Sequence, residues 1–79
     1  MVTVLRVEGL RIVIFTNDHS PSHGHVFSDG EAKIELRPTE KTPTLVKADR
    51  MTRTEVRRAM RAVTENRAEL LQRWEDIHG

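Results

Sequence analysis

Three of the chain's four histidines fall within Asn17-Asp18-His19-Ser20-Pro21-Ser22-His23-Gly24-His25, next to the carboxylate of Asp18. If His23 and His25 lie on a strand, their spacing of two puts both imidazoles on one face. A turn at Pro21 then brings His19 within reach of the same point. Three imidazoles, with or without Asp18, suit zinc, nickel or iron(II) and leave an open position for water, although the H-x3-H-x-H spacing matches no dedicated zinc signature closely. Two other readings use the same residues. A histidine pair beside a carboxylate can carry metal-free acid–base chemistry, as in a small ribonuclease. Alternatively, Asn17, Asp18 and Ser20 build an Asx-type turn, with their side chains bonded to the local backbone. The histidines are then half-exposed hydrogen-bonding residues. No nucleophile stands out, because Ser20, Ser22 and Ser28 lack any motif context. His19, His23, His25 and Asp18 are therefore the only catalytic candidates, and the balance leans away from an enzyme.

The elements that position this segment read as one α+β domain over residues 1–79, with a β half at 1–47 and a helix at 52–78. Val2-Thr3-Val4-Leu5-Arg6-Val7 is strand-like, Glu8-Gly9 is a turn, and Arg11 to Thr16 is a second strand. The dense apolar character of that second strand predicts cover on both faces or a central place in the sheet. His25 to Ser28, a turn at Asp29-Gly30, and Glu31 to Leu36 make a second hairpin. Ala32, Ile34 and Leu36 alternate there with Glu31, Lys33 and Glu35, which marks a sheet with one wet face. A loop carries Pro38 and Pro43, and Leu45-Val46-Lys47 reads as a short edge strand. The result is a small antiparallel sheet of four to five strands.

The helix start is well signalled. Thr52 and Glu55 have capping-box spacing, and Met51 and Val56 are placed for a hydrophobic staple. Val56, Met60, Val63, Leu70, Trp74 and Ile77 then hold one apolar face, with Ala59 and Leu71 beside it. An unbroken helix would be roughly 39 Å long at 1.5 Å per residue. The sheet beneath it spans only about 20–25 Å. Either the helix bends near Glu65-Asn66, or its apolar end overhangs and meets another chain through Leu70, Trp74 and Ile77; the second is the expectation carried forward. Arg67 falls within the apolar face, where a charge needs a partner or an escape to water. It is expected to reach Asp18 or a carbonyl of the histidine segment, or else to snorkel past Leu70 and Leu71.

Composition limits the rest. At 79 residues there is room for one core, and chains this short bury only about 60% of their extended surface, for a stability on the order of 5 kcal/mol. Cysteine is absent, which excludes disulfides, thiolate metal sites and thiol nucleophiles. The longest apolar run, Ile12 to Phe15, is too short to span a membrane, so a cytoplasmic location without membrane contact is expected. A net charge of +1 gives no global attraction to nucleic acid. Locally, however, Arg50, Arg53, Arg57, Arg58 and Arg61 crowd the helix start, against the macrodipole. Arg50, Arg57 and Arg61 share one flank, which with Arg58 is either a contact surface for an anion or nucleic acid, or a solvated flank paired to Glu31 or Glu35.

The run from Phe15 to His25 resembles a large family of small bacterial proteins classed as a domain of unknown function, with the approximate signature Asn-Asp-His-x-Pro-Pro-His-x-His. The likeness continues through Gly30-Glu31-Ala32, Ile34, Thr52-Arg53-Thr54-Glu55 and Asn66 to Trp74, covering nearly the whole chain. Asn17, Asp18, His19, Pro21, His23, His25, Arg67 and Trp74 match the pattern. Ser22 stands where a second proline is usual and Gly24 where a larger residue is, and both are expected to loosen the backbone around His23. The resemblance implies a toxin–antitoxin-like pair, with a second small protein encoded nearby. Three functions follow as expectations. The first is an interaction module working as a homodimer or as a heteromer with that neighbour. The second is a metal or acid–base site at His19, His23 and His25. The third is a nucleic-acid-contacting regulator working through the arginine flank.

Overall fold

The computed structural model describes residues 2–79. Five strands, β1 (Val2–Val7), β2 (Leu10–Phe15), β3 (His23–Phe27), β4 (Glu31–Glu35) and β5 (Thr44–Asp49), form an antiparallel meander in which every neighbour in sequence is a neighbour in the sheet. The β1–β2 connection is a two-residue turn closed by the Val7–Leu10 pair, with φ of 50° at Glu8 and 79° at Gly9. Positive φ at both central residues is the type I′ geometry, whose twist matches that of paired strands.

Gly30 is required for a different reason. A Cβ there would lie 2.3 Å from the Asp49 carbonyl oxygen and 2.2 Å from that of Arg50, so the end of β5 passes directly over it. β5 is longer than the Leu45–Lys47 segment expected, and it is exposed along its whole length. Its register with β4 shifts between Lys33 and Ile34.

Alternation divides the sheet into two faces. Ile12, Ile14, Val26, Ala32, Ile34 and Leu36 point to one side and are buried against Ala59, Ala62, Val63, Leu70 and Trp74. Val13, on the opposite side of β2, is also buried, among the side chains of its own face rather than under a helix. Gly24, expected to loosen the backbone, is instead a paired residue within β3 opposite Ile34.

The helical half takes the first of the two expected courses, a break near Glu65-Asn66, rather than the overhanging rod. It consists of α1 (Arg53–Glu65) and α2 (Arg67–His78), with the break at Asn66. α1 starts as its sequence signals. Thr52 Oγ1 accepts from the Glu55 N–H at 3.1 Å, and Glu55 Oε1 accepts from the Thr52 N–H at 2.9 Å. At the other end, polar side chains compete for the last carbonyls. Thr64 Oγ1 donates to Met60 O at 2.7 Å, and Asn66 Nδ2 donates to Ala62 O at 2.8 Å.

The break returns α2 to the sheet. The chain extends only 34 Å in its longest direction, and the expected overhang does not exist. Leu70 and Trp74, expected to meet another chain, are buried in this chain's own core, and Ile77 packs against it. Arg67 also differs from expectation. Its guanidinium donates to the carbonyls of Leu36 and Arg37, at 3.5 and 3.4 Å, rather than to Asp18 or the histidine segment.

Candidate metal centre

β3 and the turn before it place the site. His23 and His25 are two residues apart on β3 and share one face of the strand, as strand parity requires. Asp18 lies in the turn leaving β2. Its N–H donates to Phe15 O, and its Oδ2 accepts from the Phe15 N–H, both at 3.2 Å. Those two bonds hold the carboxylate over the strand end.

The ring nitrogens have distinct roles. His23 Nδ1 is 2.9 Å from the Pro21 carbonyl oxygen, and His25 Nδ1 is 3.2 Å from Glu31 Oε2. Both partners are acceptors, so each Nδ1 carries the proton and donates. In the neutral imidazoles each Nε2 therefore presents a lone pair, and both face Asp18 Oδ2, at 3.3 Å from His23 and 3.6 Å from His25. His25 Nε2 is buried and has no hydrogen-bond partner. Asp18, His23 and His25 together offer three ligand atoms within 4.8 Å of one another.

Packing fixes the rings. His25 meets Phe15 edge-on at 5.0 Å and stacks with Phe27 at 6.5 Å. His23 meets His25 at 5.1 Å and Trp74 at 5.3 Å, and Trp74 stacks on His78 at 3.9 Å. The link between helix and site is thus made by Trp74, not by Arg67.

Of the residues singled out in the sequence, the structure brings Asp18, His23 and His25 together. His19 is exposed and lies outside the converging set, though it borders the same depression of about 250 Å³ with Asn17, Ser20, Pro21, Lys33 and Glu35. Pro21 contributes its carbonyl, and Asn17 borders the depression.

Residues 9–75 match the family model for a domain of unknown function, DUF4160. The chain belongs to that family. No curated protein and no solved structure matches it. In this DUF4160 chain, sequence reasoning missed the anchors of the two imidazoles. Glu31 is the clearest case: it was read only as a wet-face carboxylate available to the arginines. Its reach to His25 depends on the β3–β4 register, which pairs His25 with Lys33 and Phe27 with Glu31.

The arginines expected on one helix flank do not act as one set, and Arg50 lies in the turn between β5 and α1 rather than on the helix. Arg50, Arg57 and Arg61 are exposed, with Arg50 3.9 Å from Asp49. Arg58 turns to the first hairpin and donates to the Glu8 carbonyl at 2.6 Å. Glu31 and Glu35 pair with His25 and Arg37 rather than with this flank.

Proposed function

We propose that this protein binds a divalent transition-metal ion, zinc foremost, through Asp18 Oδ2, His23 Nε2 and His25 Nε2. One observation carries the reading: two imidazoles, each tied through Nδ1 to an acceptor, aim their remaining nitrogens at a single carboxylate oxygen. Without a cation between them, these are three lone-pair donors facing one another. Asp18 Oδ2 lies 3.3 and 3.6 Å from the two Nε2 atoms, and all three atoms lie within 4.8 Å of one another, a spacing that one small ion can bridge. The outer contacts to Pro21 O and Glu31 are those that orient metal-binding histidines. Three protein ligands leave a fourth position open to the depression bordered by His19 and Lys33. A water there would be acidified by the metal.

The test is titration of untagged protein with zinc by calorimetry, with bound metal measured after dialysis. One equivalent is expected for the wild type, and none for Asp18→Asn or for His23→Ala with His25→Ala. Equal zinc retention by wild type and double variant would remove the reading.

A second reading, an interaction module of a toxin–antitoxin-like pair in the cytoplasm, draws support from a different place than the helix. Val4 on β1 and Leu45 and Val46 on β5 are the large apolar residues left exposed, and these are the outer strands of the sheet. A partner would pair along one of those edges. No helix is long and apolar enough to cross a membrane.

A further inference from the structure

The helices cover one face of the sheet, and the other face carries a row of groups that the metal reading does not use. Arg6 and Arg11 are cross-strand partners on β1 and β2, so two guanidinium side chains stand side by side. Like charges directly opposite one another destabilise a sheet, and neither arginine has an ion pair among the described residues. Arg11 lies over the Phe27 ring at 5.2 Å. Phe27 stacks on His25, and Phe15 closes the row from the other side. Val4, Arg11, Val13, Phe15 and Phe27 line a shallow apolar depression of about 240 Å³ on this face. Beyond His25, its cross-strand partner Lys33 is likewise without an ion pair among the described residues.

The carboxylates nearby are largely committed. Glu31 is tied to His25, Glu35 to Arg37, and Glu55 to Thr52 and Ser28. Asp49 faces Arg50, and Asp29 stands at the rim beside Arg6 and Arg58.

We infer that this open face binds single-stranded RNA, with phosphates held by Arg6, Arg11 and Lys33 and bases stacked on Phe15 and Phe27. Uncommitted cations beside ring faces are what a strand with both phosphates and unpaired bases can satisfy. An acidic peptide would neutralise the arginines and leave the rings uncovered. A duplex has its bases paired and unavailable for stacking. The row ends at Asn17, His19 and Ser20, whose polar groups border the depression at the histidine site and can meet a 2′-hydroxyl. The phosphate and base contacts use none of the three metal ligands, although His25 lies between Phe15 and Phe27 and Lys33 borders both sites.

Fluorescence anisotropy with a labelled, mixed-sequence RNA strand of about 12 nucleotides, titrated at about 50 and about 200 mM salt, tests it. Arg6→Ala with Arg11→Ala should lower the slope of log affinity against log salt by about 1.4, at roughly 0.7 per lost phosphate contact. Phe27→Leu should weaken binding several-fold and leave the slope unchanged. Arg73→Ala, on α2, should change neither, and circular dichroism melts confirm that each variant is folded. Binding should persist in chelator, so its failure and that of the metal reading are separately visible. No binding by the wild type at the lower salt overturns the inference, as does a slope unchanged in the double-arginine variant. The same strand as DNA, or an RNA duplex, bound as tightly would also overturn it.

Discussion

At the residue scale, the two imidazoles depend on groups that never touch the proposed ion. His25 is oriented by Glu31, and His23 by a backbone carbonyl. Glu31→Gln keeps an acceptor in place but removes the charge that raises the basicity of Nε2. Zinc affinity is expected to fall by about 10–100-fold, with the melting temperature of the metal-free protein unchanged, both read by calorimetry. An unaltered affinity would show that the Glu31 contact does not tune the site. The parity of His23 and His25 was legible only on condition that both lie on a strand; the strand was read from His25, and β3 in fact begins at His23. The place of His19 was not legible: four residues from His23 and across a turn, its direction is set by backbone dihedrals that residue types do not specify. Arg67 shows the same limit. Its need for acceptors could be read from its place on the apolar stripe, whereas the particular carbonyls, Leu36 and Arg37, follow from how α2 lies on the sheet.

At the element scale, four strands and a possible short fifth were readable from alternation and turn residues, with boundaries displaced by one or two positions in β2 to β5. The helix break was not readable from apolar spacing. Val63, Leu70, Trp74 and Ile77 keep helical intervals across it, and the cause is local competition by Thr64 and Asn66 for carbonyls of the last turn. The start of α1 was readable, and it carries a pH signature. The Glu55 carboxyl is held below the ordinary glutamate range, first by the Thr52 backbone N–H and then by the hydroxyls of Ser28 and Thr52. A carboxyl lowered in the folded state stabilises the fold above its unfolded pKa, and that contribution is lost as pH falls through the folded value. Urea denaturation should therefore find wild type more stable than Glu55→Gln at pH 7, with the difference shrinking through the acid range below about pH 4.3. A difference independent of pH would assign the effect to packing instead of to the carboxylate.

At the scale of the whole molecule, the helices pack on one sheet face and the histidine cluster is built from the other. The core drawn from Leu10, Ile12, Ile14, Val26, Ile34 and Leu36 with both helices uses only one side of the sheet. A domain of this size has a stability on the order of 5 kcal/mol, so a ligand that binds only the folded state should alter its melting visibly. Asp18 comes from the turn after β2, the two histidines from β3, and Glu31 from the start of β4, so the site forms only once the β2–β3 and β3–β4 pairings exist. Zinc at about 100 times its dissociation constant would add about 2.7 kcal/mol. For a domain of this length, at roughly 4–8 °C per kcal/mol, that raises the melting temperature by about 10–20 °C. The shift should grow with the logarithm of zinc concentration and vanish in Asp18→Asn, a substitution that leaves the hydrophobic core untouched. Differential scanning calorimetry across a zinc series reads both. A wild-type melting temperature indifferent to zinc would mean that Asp18, His23 and His25 are held together by the fold alone.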